Sequence, residues 1–271
     1  MRGKRVLVTG AGTGIGRTIA LRFARDGADV AFHYSHSKDG AQSAVKEALE
    51  MGVRARAFSN DFSHLDHVPR LADEALNFLG GIDILVNNTG ITFNRPFVKV
   101  TAQELVKMYT VNVMAQYVLT QRAVADMLDR QKGAVCNITS IHGLQGAPEH
   151  SVYAGTKGAI IAYTRALAIE LAHKGIRVNA VAAGWVTVEN YYKAIPDFNE
   201  EQAIKDAAEK VPLGKSGSKD NIADLVLFLC SDKAEYIIGQ TIVADGGTTT
   251  LMSLISDFRH ESKDRWGIGY L

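Results

Sequence analysis

The sequence predicts an α/β domain built on a doubly wound, parallel sheet of seven strands with helices on both faces. Short β-branched segments alternate along the chain with longer segments of helical period. Most of the short segments also lack a polar alternation, which is typical of strands buried on both faces. Because strand–helix–strand repeats require right-handed crossovers, these observations together favour a parallel sheet covered by helices.

Individual elements follow from local patterns. The predicted strands are RVLVTG (5–10), DVAFHY (29–34), RARAFSND (54–61), IDILVNN (82–88), GAVCNITS (133–140), IRVNAVAAG (176–184) and QTIVADGG (240–247). The predicted helices cover about 14–26, 39–51, 64–79, 101–130, 151–174 and 219–230. Thr101 with Glu104 has the pattern of a capping box, Asn199 with Gln202 resembles another, and glycines at 27, 52 and 175 fall where helices should stop. We interpret residues 1–250 as one domain.

Charge and hydropathy argue against several classes of function. Lysine and arginine total 30 against 29 acidic residues, a net charge of +1 that favours neither a nucleic-acid nor a membrane partner. No apolar run approaches the roughly 20 residues that span a bilayer. The opening segment MRGKRVLVTG has too few apolar residues for a signal peptide. We expect a cytoplasmic protein.

The cysteines and histidines give no indication of a metal site. Cys136 and Cys230 lie among apolar residues, so we interpret them as core thiols of a protein from a reducing compartment. Histidines occur in the pairs 33/36 and 64/67, but neither pair has a matching second cluster of ligands. We interpret these four as solvated or loop histidines and expect no metal.

A glycine-rich segment follows the first strand directly. TGAGTGIG (9–16) places glycines at 10, 14 and 16, immediately before the first helical pattern. Glycines there allow a tight turn and close approach to a pyrophosphate, which the amides of the helix N-terminus would stabilise. Position as well as composition therefore predicts a Rossmann fold that binds a dinucleotide.

Four further motifs occur in a fixed order. NNTG (87–90) ends the fourth strand, Asn112 lies within the fourth helix, Ser140 ends the fifth strand, and Tyr153-x-x-x-Lys157 opens the next helix. Ser140 precedes Tyr153 by 13 residues and Asn112 precedes it by 41. With the glycine-rich segment, this chain resembles the short-chain dehydrogenase/reductase superfamily, including its 3-oxoacyl-[acyl-carrier-protein] reductases and its sugar and polyol dehydrogenases.

The resemblance extends over roughly residues 4 to 248 and implies a catalytic tetrad. A free phenol is a poor base at neutral pH, but the charge of Lys157, one helical turn away, would favour the phenolate of Tyr153. We therefore expect Tyr153 to act as general acid and base. The resemblance implies that Ser140 binds the substrate oxygen, that Lys157 also holds the nicotinamide ribose, and that Asn112 holds a water which passes protons to the lysine.

The second strand bears on the choice of cofactor. It ends in Ser35, His36, Ser37 and Lys38, without the acid that commonly binds the ribose of NAD, so we expect NADP, with NAD possible. The residues expected to bind it are Gly10, Thr13, Gly14, Ile15, Gly16, Tyr34, Ser35, Ser37, Asp61, Phe62, Asn87, Gly90, Tyr153, Lys157, Gly184 and Val186.

The segment after the sixth strand departs from the family pattern. The family has Pro-Gly-x-Ile/Val-x-Thr there, whereas Ala183 replaces the proline and Val188 stands at the threonine position. Thr187 lies one place early. Val186 can still orient the nicotinamide amide through its backbone, but the departures remove the expected threonine hydrogen bond.

Residues 184–217 resemble the lid that covers the substrate in similar proteins. The candidate substrate-pocket residues are His142, Gln145, His150, Trp185 and Tyr191. Their polar groups suit a hydroxylated small molecule. The apolar C-terminal extension, 251–271, is expected to pack on the domain or on a neighbouring subunit, and the resemblance implies a homotetramer.

Several functions fit these features. The main expectation is hydride transfer between a nicotinamide cofactor and a secondary alcohol or ketone, and the runner-up is reduction of a 3-oxoacyl thioester. A catalytically silent dinucleotide sensor is an alternative of another class, because function lies in sites and not in folds. Dehydration or epimerisation with the same tyrosine is a further alternative.

Overall fold

A computed structural model of the protein describes residues 1–189 and 197–251. Its seven strands form one sheet in the order β3-β2-β1-β4-β5-β6-β7, and every neighbouring pair is parallel. The strands are β1 Arg5–Val8, β2 Asp29–Tyr34, β3 Ala55–Ser59, β4 Ile84–Asn87, β5 Gly133–Ser140, β6 Ile176–Ala183 and β7 Thr241–Ala244. The predicted fold class is confirmed.

Helices pack on both faces of this sheet and bury two separate apolar layers. They are α1 Gly14–Arg25, α2 Lys38–Glu50, α3 Val68–Leu79, α4 Ala102–Tyr109, α5 Ala115–Asp129, α6 Ser151–Ala172, α7 Glu200–Lys210 and α8 Lys219–Cys230. Val6 and Val8 of β1 pack with Phe23 of α1, whereas Leu7 between them belongs to the opposite layer with Leu119 of α5. Alternation of the pleat thus explains why the strands are apolar throughout.

The order of the strands places a crevice beside β1. Val6 pairs with Val30 of β2 on one side and with Ile84 of β4 on the other. The chain therefore reverses its direction across the sheet at β1, and the loops that follow β1 and β4 diverge there. Ligands of such sheets bind at this point, beyond the carboxyl ends of the strands.

The prediction of one continuous helix over 101–130 is wrong at its centre. Residues Thr110–Met114 form a π-helical turn between α4 and α5. The amide of Asn112 within this turn bonds the backbone of Ile91, a contact distant in sequence that local patterns do not contain. The capping box of Thr101 and Glu104 is confirmed, and it begins α4.

The structure shows the burial of both cysteines and of one histidine. Cys136 of β5 and Cys230 of α8 are both free and buried, as expected of core thiols. The interpretation of His33 as a solvated or loop histidine is wrong, because its side chain is fully buried at the end of β2. Tyr191 and residues 252–271 of the C-terminal extension lie outside the described residues.

The described residues show neither a membrane-spanning helix nor a cluster of metal ligands. None of the helices within 1–189 and 197–251 combines the length and the hydropathy that crossing a bilayer requires. The same residues contain no group of three or more His, Cys, Asp or Glu side chains arranged to hold a metal ion.

Candidate active site

The glycine-rich loop has the backbone that a dinucleotide cradle needs. Gly10 and Gly14 adopt left-handed conformations, with φ of +65° and +57°, which side chains other than glycine disfavour. A Cβ on Gly16 would overlap the carbonyl of Gly10, and a Cβ on Gly12 would overlap the hydroxyl of Ser37. Glycine is therefore required at positions 10, 12, 14 and 16 of this loop. Its amides open α1 behind Thr13 and carry the positive end of the helix dipole.

The loop after β4 is tied to the glycine-rich loop. Asn88 Nδ2 donates to the carbonyl of Thr9 at 2.9 Å, and the hydroxyl of Thr9 accepts the amides of Asn88 and Thr89 at 2.9 and 3.0 Å. Asn87 was predicted to bind the cofactor, but its amide donates at 2.8 Å to Thr120 within a buried network. Asn88 and Thr89 are therefore loop-forming residues absent from the predicted site.

A buried lysine lies beside the predicted catalytic tyrosine on α6. Lys157 is 3% exposed, and its Nζ donates to the carbonyl of Ile138 at 3.0 Å. The same Nζ lies 5.5 Å from the centroid of the Tyr153 ring. Burial lowers the pKa of Lys157 to about 8. The lysine therefore remains mostly protonated at pH 7, in surroundings that screen its charge poorly.

Asn112 holds the far side of this site. Its Oδ1 accepts the amide of Ile91 at 2.8 Å, and its Nδ2 donates to the carbonyl of the same residue at 2.9 Å. Its Nδ2 also reaches Thr156 Oγ1 of α6 at 3.2 Å. The Cβ position of Gly90 lies 3.5 Å from both Asn112 Oδ1 and Lys157 Nζ. Asn112 thus brings the loop after β4 against the lysine.

The loop after β5 lines the other side of the tyrosine. Ser140 Oγ, at the end of the strand, accepts the amide of His142 at 3.2 Å. The ring of His142 stacks on His150 with centroids 4.5 Å apart and meets Tyr153 edge-on at 5.8 Å. Burial, and then the charge of His150, lower the pKa of His142. Gln145, also predicted to line the pocket, donates to the carbonyl of Thr249.

The residues predicted around the adenosine follow two strands, β2 and β3. Ser37 directly precedes α2 and lies against Gly12 of the glycine-rich loop. Tyr34 ends β2 and Ser35 follows it, and both are half-buried. Asp61 Oδ1 accepts the amide of Ser63 at 2.9 Å, which lowers the pKa of the carboxyl. The ring of Phe62, however, is 2% exposed and belongs to the core, so its side chain has no face for an adenine.

The base of the predicted lid pairs with the segment that precedes α8. Val186 forms a parallel bridge with Gly217, and the carbonyl of Trp185 accepts the amide of Gly217 at 2.8 Å. A Cβ on Gly184 would overlap Asp245, which explains that glycine. Val188, at the position of the missing threonine, packs over the glycine-rich loop beside Gly14.

An ion pair lies at the mouth of the cradle. Glu189 pairs with Lys219, and its Oε2 lies 4.0 Å from the position that a Cβ on Gly14, at the start of α1, would occupy. A carboxylate and a pyrophosphate carry charge of the same sign, so Glu189 would disfavour a pyrophosphate at this helix N-terminus.

Comparisons with known proteins agree with this geometry. A family model described as enoyl-(acyl carrier protein) reductase matches residues 10–249. The 3-oxoacyl-[acyl-carrier-protein] reductase FabG of Staphylococcus epidermidis is 39% identical over 244 residues, which cover 90% of this chain and 98% of that protein.

Solved structures are also similar over nearly the whole chain. A short chain dehydrogenase from Burkholderia cenocepacia in complex with NADP has a TM-score of 0.83 at 32% identity, covering 92% of this chain and 98% of that one. A 7α-hydroxysteroid dehydrogenase complexed with NADH and 7-oxo glycochenodeoxycholic acid has a TM-score of 0.84 at 32% identity, covering 91% and 94%.

A dinucleotide cradle next to a tyrosine and a buried ammonium is an arrangement of oxidoreductases, in which the cofactor carries the hydride and the protein handles the proton. The chain belongs to the short-chain dehydrogenase/reductase family. It is an NAD(P)-dependent enzyme that transfers a hydride between the nicotinamide and a secondary alcohol or ketone, which confirms the main functional expectation.

Proposed function

We propose that Tyr153 donates the proton when a ketone is reduced and accepts it when an alcohol is oxidised. The observation that carries the proposal is the buried ammonium of Lys157, 5.5 Å from the centroid of the tyrosine ring. A positive charge in such poorly solvated surroundings favours the phenolate, so the phenol becomes a stronger acid. Proton transfer by a positioned side chain contributes roughly 10²–10⁴-fold to rate.

The other polar groups have separate tasks in this scheme. A nicotinamide dinucleotide, when bound, supplies or removes the hydride. Ser140 retains its hydroxyl hydrogen for the substrate oxygen, since the bond to His142 uses Oγ as an acceptor. Lys157 holds the nicotinamide ribose as well as favouring the phenolate. Asn112 fixes the loop after β4 and holds the water through which the lysine exchanges protons.

NADP is the preferred dinucleotide in this proposal. The end of β2 offers the hydroxyls of Ser35 and Ser37 and the ammonium of Lys38 where an acid would repel a 2′-phosphate. A Cβ at 12 or 16 would clash with the protein, and glycines at 10 and 14 adopt left-handed φ, so the loop keeps the shape of a dinucleotide cradle only with these four glycines. Similar solved proteins form complexes with NADP and with NADH, so the preference for NADP rests on the residues that follow β2.

The substrate is a ketone or secondary alcohol with further hydroxyl groups. His142 and His150 present imidazole groups beside Tyr153, with ring centroids 5.8 and 6.5 Å from the phenol, and Trp185 lies at the base of the lid. Such groups bind hydroxyls. A 3-oxoacyl thioester is the second candidate, favoured by 39% identity to a 3-oxoacyl-[acyl-carrier-protein] reductase.

The assignment of Tyr153 is tested with a matched pair of variants. Tyr153→Phe removes only the hydroxyl, and turnover should fall by about 10² or more while NADPH still binds. Tyr163→Phe, on the same helix, is the control: the hydroxyl of Tyr163 is buried and has no hydrogen-bond partner among the described residues, so turnover should be unchanged. Undiminished turnover in Tyr153→Phe would end the proposal.

The substrate class is tested with a panel of ketones, sugars, polyols and 3-oxoacyl thioesters, each with NADPH and NADH, followed by absorbance. Activity with NADH alone would refute the choice of NADP. Turnover of a thioester that exceeded all other compounds by orders of magnitude would replace the first substrate class by the second.

A homotetramer in the cytoplasm completes the proposal. Exposed apolar side chains on three consecutive helices support self-association: Val106 of α4, Tyr117 of α5 and Ile169 of α6 are 61%, 55% and 76% exposed. Light scattering behind size exclusion should give four times the chain mass. A monomer at micromolar concentration would contradict this.

A further inference from the structure

The imidazole of His33 lies fully buried beneath the cradle and has no role in the scheme above. Its Nδ1 is 3.2 Å from the amide nitrogen of Gly10, and its Nε2 is 3.0 Å from the carbonyl oxygen of Asn60. Its ring stacks on Phe62, with centroids 4.4 Å apart and planes inclined by 10°. Thr89 Oγ1 lies 3.5 Å from Nδ1. One side chain thus contacts the loops that follow β1, β3 and β4.

The two partners fix the protonation of this ring. The amide of Gly10 can only donate, so Nδ1 must be the acceptor. The carbonyl of Asn60 can only accept, so the single ring hydrogen must be on Nε2. His33 is therefore a neutral imidazole of defined tautomer, in agreement with burial, which lowers its pKa to about 4.

The backbone of the same residue holds the next amide of the loop. The carbonyl of His33 accepts the amide of Ala11 at 2.7 Å. Two successive amides of the glycine-rich loop are thus fixed by one residue of β2, at the point where Gly10 turns with φ of +65°. The amides that open α1 follow directly, and their direction depends on this turn.

We propose that His33 is a positioning residue for the dinucleotide: its Nδ1 fixes the first turn of the glycine-rich loop so that the amides opening α1 face the pyrophosphate before the cofactor arrives. This inference depends on the proposed binding of NADP at that loop. A pre-formed cradle spares the free energy of ordering the loop on binding, so loss of the acceptor should weaken dinucleotide affinity rather than chemistry.

Two isosteric variants separate the two bonds. In His33→Asn, Oδ1 is as many bonds from Cβ as Nδ1 and keeps the acceptor for Gly10, but the donor to Asn60 is lost. In His33→Gln, Nε2 keeps the donor and the acceptor is lost. Both remove the stacking on Phe62, so both should lower the melting temperature by similar amounts.

The affinity for NADPH, measured by fluorescence titration, should differ between His33→Asn and His33→Gln. We expect a Kd within about threefold of wild type for His33→Asn and raised about tenfold for His33→Gln, the latter equivalent to about 1.4 kcal/mol. Equal affinities in the two variants, or the reverse order, would overturn the positioning role. Failure of the wild type to bind NADPH would instead refute the proposed cofactor.

Hydrogen exchange of the wild-type protein tests the same inference without a substitution. The amides of Gly10 and Ala11 should be protected in the free protein and gain little on adding NADPH, whereas the amides of residues 14–16 should gain protection. Fast exchange at Gly10 until NADPH is added would show that His33 does not hold the loop, whether or not either variant folds.

Discussion

Lys157→Met should make the protein more stable and nearly inactive at the same time. The ammonium is buried, and burial alone lowers its pKa from 10.5 to about 8. That difference corresponds to about 3 kcal/mol by which the fold disfavours the charged form at pH 7. Methionine has a similar length and no charge, but it leaves the carbonyl of Ile138 without its donor, at a cost of about 1 kcal/mol. The net gain is about 2 kcal/mol.

The stability gained by Lys157→Met should decrease as pH rises. The folded pKa of Lys157 lies below its unfolded value, so between about pH 8 and 10.5 the unfolded chain binds more protons. Wild-type stability from this group therefore rises with pH in that window, while the variant has nothing to titrate. The advantage of Lys157→Met should be about 2 kcal/mol at pH 7 and close to zero near pH 9.5.

Urea denaturation at the two pH values measures this difference. Lys46→Met, which replaces an exposed lysine of α2, is the control and should change the free energy of unfolding by less than about 0.5 kcal/mol at either pH. A Lys157→Met protein that is destabilised at pH 7, or equally stabilised at both pH values, would refute the reasoning.

Three further outcomes follow from contacts described above. The free energy of unfolding of the wild type should fall by about 3 kcal/mol as pH falls from 6.5 to 4, because His33 binds a proton in the unfolded chain but stays neutral when buried. His33→Asn should lack this component in urea denaturation. Identical pH profiles of the two proteins would contradict the prediction. Glu189→Gln should tighten NADPH binding about threefold, because the carboxylate near the start of α1 repels the pyrophosphate. Lys219→Ala should weaken NADPH binding, because the ammonium offsets the charge of Glu189; weaker binding in both variants would indicate a merely structural ion pair. Thr101→Ala should lower the free energy of unfolding by about 1 kcal/mol through loss of the α4 capping box, whereas Thr101→Ser should retain most of it.

Features that depend on residue type and spacing could be predicted from the sequence. The glycines at 10 and 14 were recognisable because their left-handed turns tolerate little else. Tyr153 and Lys157 were recognisable because one helical turn separates them and they interrupt an otherwise apolar pattern. The parallel sheet followed from strands that are apolar on both faces.

Contacts between distant residues could not be predicted in this way. The bond of His33 to Gly10 joins residues 23 apart, and that of Asn112 to Ile91 joins residues 21 apart. Because of the bond to Gly10, His33 is buried and not solvated as its local sequence indicates. The bond to Ile91 accompanies a π-helical turn in a segment whose sequence predicts one continuous helix. No local propensity encodes either pairing, because each exists only after the strands are aligned.

The two thiols buried between β5 and α8 can report how often the wild-type domain opens. Cys136 and Cys230 are 1% and 5% exposed, so a disulfide reagent reaches them only in molecules whose interior has come apart. The rate of their modification counts those molecules directly. A ligand that binds in the crevice and stabilises the domain should lower the rate of thiol modification. That rate can therefore rank candidate substrates by binding, without a measurement of turnover.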